Sequence, residues 1–195
     1  MKPGLYYEYL NNGSGWTQTS SSSLPPLPAG EERWMHPSMS PQYTDLNGDG
    51  LIDIILIASH YNSVNIWTRY RYLNSGSGWT STSLWDFPPL PVGEDNWLYW
   101  STPPQYTDLN GDGLVDLVVA AKHYNSGNII TYYEYLNNGS GWTRNSSWDL
   151  PSTLPAGEIH WTWNSPTGTP PQYIDLNGDG LVDLVVVANH YDNGN

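Results

Sequence analysis

The sequence has no cysteine and a single phenylalanine, and its 6 Lys and Arg residues face 19 Asp and Glu residues. Without cysteine there is no disulfide framework, no zinc–thiolate site and no thiol nucleophile. A net charge of −13 argues against nucleic acid and against anionic membrane surfaces as partners, because both attract basic proteins. This charge instead favours the binding of cations.

Long apolar runs, helical periodicity and catalytic motifs are missing as well. No run of about 18 apolar residues is present, so we expect no membrane insertion. The first residues, MKPGLYYEYL, lack the apolar core of a signal peptide. No segment keeps a period of about 3.6 residues, as a helix would. Neither a phosphate-binding P-loop nor a Gly-x-Ser-x-Gly elbow is present, so we predict that the protein is not an enzyme.

The sequence is instead one unit repeated three times. The nonapeptide DLNGDGLID starts at Asp45, and DLNGDGLVD starts at Asp108 and at Asp175. The strings YLNNGSGW or YLNSGSGW, and LPAGE or LPVGE, recur in step with it. We therefore predict one repeat domain. It covers residues 1–195, with repeats at 1–63, 64–126 and 127–193, and with residues 194–195 beginning a next period.

Each repeat is predicted to consist of strands. LIDIILIA at 51–58 is a short, β-branched apolar run, which is typical of a strand buried on both faces. TYYEYL at 131–136 is an aromatic strand that a Gly-rich turn folds back. About four strands per repeat is the content of a propeller blade, so we predict an all-β protein of three four-stranded, β-propeller-type blades. One blade would be split between the termini, with strands from residues 1–20 and 171–191.

The nonapeptide has the spacing of a calcium-binding loop. Oxygen side chains stand at positions one, three, five and nine, a glycine stands at position six, and the carbonyl of position seven is expected to point inward. Position twelve is Leu56, whereas an EF-hand needs a Glu there, so the loop is interpreted as a calcium-binding β-hairpin. We expect about three calcium ions per chain, with affinities of about 10⁻⁵ to 10⁻³ M. The alternative is an Asx-rich turn without a metal.

The predicted ligands are the same five positions in each loop. They are Asp45, Asn47, Asp49, Leu51 and Asp53; Asp108, Asn110, Asp112, Leu114 and Asp116; and Asp175, Asn177, Asp179, Leu181 and Asp183.

With YLNNGSGW in the same repeat, the loop and its following strand resemble the FG-GAP/VCBS repeat family. Members of that family form the calcium-binding propellers of integrin α-chains and parts of bacterial surface proteins. The resemblance covers nearly the whole chain, and it implies propeller blades, calcium at each hairpin and a role in adhesion or scaffolding. Three repeats are fewer than such propellers usually have.

Tryptophans recur at equivalent positions, and two interpretations remain open. Regular spacing indicates packing between blades. The set that follows the Gly-Glu of the Pro-rich connection is expected to be exposed and could stack on sugars, as in propeller lectins. The candidate ligand-binding residues are Trp34, Trp97, Trp100, Trp161 and Trp163.

His60, His123 and His190 recur just after the apolar strand. A ring of imidazoles on a symmetry axis could hold a transition metal. We favour the other reading, in which each is a strand-end His that hydrogen-bonds the neighbouring blade.

The sequence thus predicts a non-enzymatic, calcium-binding adhesion, scaffold or self-assembling module at the cell surface or outside the cell. Glycans or surface proteins are candidate partners. The alternatives are a propeller lectin and, less favoured, a hydrolase with structural calcium. An open sheet edge needs closure. We therefore predict a homodimer that closes a six-bladed ring, or a head-to-tail assembly.

Overall fold

A computed structural model describes most of the chain. The described residues are 9–18, 25–34, 41–60, 67–97, 102–123, 130–151, 153, 156, 158–161 and 169–190. These residues form antiparallel strands and one short 3-10 helix, Ser146–Trp148, so the chain is all-β as predicted. In the same ranges no helix is long and apolar enough to cross a membrane.

The strands are numbered in chain order. The first seven are β1 (Tyr9–Asn11), β2 (Trp16–Gln18), β3 (Glu31–Trp34), β4 (Gln42–Thr44), β5 (Asp53–His60), β6 (Trp67–Asn74) and β7 (Trp79–Thr82). They continue as β8 (Glu94–Trp97), β9 (Gln105–Thr107), β10 (Asp116–His123), β11 (Ile130–Asn137), β12 (Trp142–Arg144), β13 (Glu158–Trp161), β14 (Gln172–Ile174), β15 (Asp183–Val185) and β16 (Ala188–His190).

The sheet of β8 to β12 shows the plan of one propeller-type blade, and we call it the second blade. Its strand order is β12-β11-β10-β8, and β9 also pairs with β10. The central pair, β10 and β11, is antiparallel over six residue pairs from Leu117–Tyr135 to Lys122–Ile130. The sheet of β3 to β7, which we call the first blade, has the same order, β7-β6-β5-β3, with β4 beside β5. The predicted four-stranded blade is confirmed in both sheets.

The Gly-Glu segment of each connection is a strand that the sequence analysis missed. β9 pairs with the first half of β10, and β8 pairs with the second half, where Ala121 faces Trp97. Two short strands therefore share the edge position that was predicted for one. The segment was assigned to a connection because it is polar and follows prolines, and its strand structure comes from its pairing with β10.

The last four strands form two smaller sheets, β13-β16 and β14-β15, and β1 and β2 form a two-stranded hairpin. The split blade that was predicted from the two termini stays a prediction.

By its contacts the chain divides into two compact units. One contains Met1–Tyr43 and Leu51–Ser83, and the other contains Thr44–Gly50 and Leu84–Asn195. The first six positions of the first nonapeptide loop therefore belong to the larger unit, and its last three positions belong to the smaller unit.

The core of the larger unit lies on both faces of the second blade. One face buries Leu117, Val119 and Tyr135 under aromatic side chains that include Phe87 and Trp142. The opposite face buries five residues beneath side chains of the third repeat. These five are Leu109, Val118, Ala120, Ile130 and Tyr132. In the smaller unit, Ile54, Leu56 and Tyr72 form the buried cluster.

Successive loops touch through a leucine and a glycine. A Cβ placed on Gly48 would lie 2.5 Å from Cδ2 of Leu114, and one on Gly111 would lie 2.6 Å from Cδ2 of Leu181. The position-seven leucine of one loop thus packs on the position-four glycine of the loop before it. Gly178, the same position in the third loop, has nothing within 4 Å of such a Cβ.

We expect Gly111→Ala to lower the free energy of unfolding more than Gly178→Ala. Both glycines have positive φ, 76° and 80°, so alanine costs about 1 kcal/mol of backbone strain at either position. At Gly111 the new methyl group also displaces Leu181, which we expect to cost about 1 kcal/mol more. Urea unfolding of dilute protein measures both.

The Leu181→Ala background provides the control, because it removes the side chain that the new methyl group would meet. There the two alanine substitutions should cost the same amount. A difference that persists in that background would contradict the proposed contact.

Candidate metal centre

The three loops are folded around the carboxylate at position one. Asp108 Oδ1 accepts hydrogen bonds from Gly111 N at 2.7 Å and Asp112 N at 3.2 Å, and Oδ2 accepts one from Gly113 N at 2.8 Å. The equivalent three bonds are formed by Asp45, at 2.8, 3.2 and 2.8 Å, and by Asp175, at 2.6, 3.2 and 2.9 Å. The backbone therefore curls around this carboxylate in the same way three times.

Glycine at position six makes this curl possible. Gly50, Gly113 and Gly180 have φ values of 85°, 88° and 87°, which side chains with a Cβ disfavour. The glycine at position six was predicted to permit the sharp turn. Its position beside the carboxylate agrees with that role.

Positions three and five contact each other. Asn110 Nδ2 donates to Asp112 Oδ2 at 2.9 Å, and Asn47 Nδ2 donates to Asp49 Oδ2 at the same distance. In the third loop, Asn177 Oδ1 accepts from Asp179 N at 2.8 Å. The Asp at position five also accepts from the backbone N–H of position seven in the second and third loops.

The carboxylate at position nine has a different environment. Asp116 is fully buried, and it accepts from Leu109 N at 2.8 Å and from Asn137 N at 2.7 Å. Burial raises its pKa, and the two backbone donors oppose that shift. Asp53 accepts from Asn74 N at 2.8 Å, and Asp183 accepts from Leu176 N at 2.9 Å. The ninth Asp thus connects its hairpin to the rest of the blade.

Within the parts of the chain that the structure describes, no three Asp, Glu or His side chains form a group that could hold a metal ion. Each loop still offers oxygen donors of the type that calcium prefers. The N–H groups of Gly180 and Gly178 lower the pKa of Asp175, so they favour its carboxylate form. Calcium binding by the loops remains a prediction.

Asn137 links the second loop to the first. Its Nδ2 donates to the carbonyl of Leu46 at 2.7 Å and to that of Val115 at 3.1 Å. Its Oδ1 accepts from Trp85 Nε1 at 3.1 Å and from Gly139 N at 2.9 Å. The carboxamide is buried and uses its hydrogen-bonding capacity fully. Asn137 was not among the predicted site residues, although the Asn recurs in every YLN string.

A tyrosine–glutamate pair recurs in the first two blades. Tyr133 donates to Glu94 Oε1, and Tyr70 donates to Glu31 Oε1 at 2.6 Å. His123 Nδ1 lies 3.4 Å from the same Glu94 oxygen. His123 therefore contacts its own blade, and its predicted hydrogen bond to the neighbouring blade stays a prediction. The side chains of His60 and His190 lie outside the described part. The sequence signal for the tyrosine–glutamate pair was the Glu that follows each Pro-x-Gly.

Trp97 was expected to be exposed, and its packing corrects that expectation. Its ring centroid lies 5.8 Å from Tyr133 and 6.4 Å from Tyr135, both edge-on, and its Nε1 donates to the Pro88 carbonyl. The strand pairing of β8 is the reason, because it brings Trp97 over the sheet. The side chains of Trp34 and Trp161 are outside the described residues, as are Trp100 and Trp163 entirely.

Glu134, on β11, is a fully buried carboxyl. Tyr173 Oη donates to it at 3.4 Å, and Arg144 Nη1 lies 3.9 Å away. Burial, reinforced by the charge of Asp149, raises the pKa of Glu134 to about 8, against the opposing effect of Arg144. Arg144 itself is exposed and also pairs with Asp149.

Comparison with known proteins agrees with the repeat pattern. Residues 108–186 match the family described as FG-GAP-like repeat. The predicted resemblance is confirmed there, and the fold around it is the predicted propeller-type blade.

The chain is also similar to a T-cell immunomodulatory protein homolog from Plasmodium yoelii yoelii, at 27% identity over 160 residues. The similarity covers 80% of the chain but only 21% of that relative, so the chain spans about a fifth of its length. No solved structure matches the chain.

We expect Glu134→Gln to stabilise the protein at pH 8 by about 2 kcal/mol and to change little at pH 4. The folded pKa lies above the usual value of 4.5, so the stability that neutral Glu134 provides is complete below pH 4.5. It is lost as the pH rises through 8, and glutamine, which does not ionise, avoids the loss. Urea unfolding between pH 4 and 8 measures the difference, with the exposed Asp86→Asn as the control. A constant difference across that range would rule out the raised pKa.

Asn137→Ala should lower the free energy of unfolding by about 3 kcal/mol, because it leaves the Trp85 indole and the Leu46 carbonyl without their buried partner. Asn74 is the equivalent residue of the first blade, and its side chain is half-buried. Among the described contacts, this side chain bonds only the Ile52 carbonyl and Gly76 N. Asn74→Ala is the matched control, with an expected cost of about 1 kcal/mol. Equal losses in thermal or urea unfolding would contradict the linking role.

Proposed function

We propose that the protein is a calcium-binding FG-GAP-type repeat module that binds or supports other molecules and does not transform them. The observation that carries the proposal is the threefold formation of one loop around its first carboxylate. Three acidic loops with the same internal bonds in a chain of net charge −13 fit a shared cationic ligand.

The oxygens at positions one, three and five, with the position-seven carbonyl, would hold the ion in each loop. In the second loop these belong to Asp108, Asn110, Asp112 and Leu114. Asp116 retains acceptor capacity, because a carboxylate has about four acceptor sites and the described bonds use two of them. Bound calcium would offset the repulsion among the loop carboxylates and pin the hairpin. We propose about three ions per chain.

The family match and the similarity to a T-cell immunomodulatory protein homolog support a non-enzymatic adhesion or scaffold role. They also support a location at the cell surface or outside the cell. Calcium sites in extracellular modules have dissociation constants of about 10⁻⁴ to 10⁻³ M, which suits loops with three carboxylates each. Surface proteins are the proposed partners, together with a second copy of the chain, in a ring or head to tail.

The sugar-binding alternative has less support. It depends on five tryptophans, and the one whose side chain is described, Trp97, directs its ring into an aromatic cluster. Glycans therefore remain a secondary proposal that a glycan array can test.

We expect isothermal titration to detect about three calcium ions per chain, with dissociation constants of about 10⁻⁵ to 10⁻³ M. At 100 times the dissociation constant, each site would stabilise the fold by about 2.7 kcal/mol, so EDTA should lower Tm. The double variant Asp108→Asn/Asp112→Asn should remove one ion from the stoichiometry.

Asp86→Asn, an exposed carboxylate outside the loops, should leave the stoichiometry unchanged. Magnesium provides the second control, since it prefers a tighter octahedral shell. If 10-mM calcium, about ten times the weakest expected dissociation constant, gave neither heat nor a Tm shift, the loops would be plain turns.

A further inference from the structure

The third repeat exposes the face that the first two repeats bury. The leucine at position two of the loop is 0% exposed at Leu46 and 2% exposed at Leu109, but 65% exposed at Leu176. After the loop, Ala120 on β10 is 1% exposed, whereas its counterpart Val187, between β15 and β16, is 43% exposed. Ile174, on the strand before the loop, is 53% exposed. We call Ile174, Leu176, Gly178 and Val187 the third-repeat face.

In the first and second repeats, side chains of the next repeat cover the residues that are equivalent to this face. Leu109, Val118 and Ala120 pack beneath Tyr173, Val182 and Val186 of the third repeat. Gly48 and Gly111 lie under the position-seven leucines of the following loops. Gln105 Nε2 also donates to the carbonyl of Pro171, at 2.8 Å. The contacts between successive loops are thus a repeated interface, formed once at Gly48 and again at Gly111.

The first repeat exposes the counterpart of the covering residues. Ile52 is equivalent to Val182, and it is 52% exposed. Leu51 and Tyr43 are equivalent to Leu181 and Tyr173, and they are 37% and 61% exposed. We call Tyr43, Leu51 and Ile52 the first-repeat face. Its residue types match those that cover Leu109 and Gly111 inside the chain.

We propose that the first-repeat face of a second copy docks on the third-repeat face, so that Leu51 of that copy lies over Gly178 and its Ile52 lies near Leu176. The contact continues an interface that already occurs between successive repeats, and it specifies a second copy as the occupant. The two faces are different surfaces, so the interface is heterologous, and two copies close a ring or many form a chain. The inference rests on the proposed self-association and names its surfaces.

Charge sets the conditions under which this docking is observed. Each copy has a net charge of −13, so two copies repel each other at low ionic strength. The docking residues are apolar and are little affected by salt. Association should therefore strengthen as salt screens the repulsion.

Sedimentation velocity of the full chain over a concentration series tests the proposal. The wild type should reach about twice 21.9 kDa or more. Leu176→Gln and Ile52→Gln should each sediment as monomers, because each loses one of the two faces. An equimolar mixture should form a dimer, since the first variant keeps its first-repeat face and the second keeps its third-repeat face.

Leu84→Gln is the matched control, because Leu84 is 55% exposed and lies outside both faces. It should associate like the wild type, and circular dichroism should find the same fold in all variants. A monomeric wild type would overturn the proposal, and so would single variants that associate normally or a mixture that stays monomeric. A monomeric wild type would assign the third-repeat face to a further repeat of a longer chain.

Calcium titration on the same samples separates this inference from the proposed function. Calcium stabilisation of a chain that never associates would overturn the interface alone. Association that needs both faces, in a protein that binds no calcium, would support the interface and overturn the calcium function.

Discussion

The buried carboxylate at the ninth loop position is the interaction on which the rest of the second blade depends. Asp116 accepts one N–H from its own loop and one from Asn137 at the end of β11. It thereby fixes the end of the third strand against the hairpin, and it places the Asn137 carboxamide beneath the preceding loop. A buried carboxylate is costly unless backbone donors surround it. Here the donors come from two segments, so the buried carboxylate is stabilised only when both segments are in place.

The same arrangement explains why a chain with few charges and many glycines forms ordered blades. The acidic loop satisfies its own backbone N–H groups with the carboxylate at position one, and the strands on either side supply the apolar core. Loop and core are joined at Asn137, which contacts the first loop, the Trp85 indole and its own turn. Polar bonds thus set the spacing of successive loops, and apolar contacts stabilise it.

Much of the blade could be predicted from sequence, because its signals are local. The Asp-Leu-Asn-Gly-Asp-Gly string specifies the loop, and the β-branched run after it specifies β10. The strand β8 could not be predicted, because its short polar sequence becomes a strand only by pairing with the far half of β10. The position-seven leucine was assigned a role through its carbonyl, whereas its side chain packs on a glycine one repeat away. Contacts of that range leave no periodic signal within a single repeat.

Differences between equivalent positions of the repeats could not be predicted from the sequence either. At one equivalent position, β6 of the first blade has Arg71 and β11 of the second blade has Glu134, and both are buried. Each has its own surroundings, since Glu134 receives the Tyr173 hydroxyl from the third repeat. A repeat pattern predicts only what the repeats share, so it gives no information about such variable positions, although they distinguish otherwise similar blades.

The glycine at position four has a consequence for how such proteins can change. Because these glycines fix the contacts between successive loops, the Pro-rich connections do not have to. The third connection is four residues longer than the second, yet Leu181 lies over Gly111 just as Leu114 lies over Gly48. The connections are therefore the natural insertion points of the array, where a new recognition segment or an engineered epitope can be added without disturbing the contacts between successive loops.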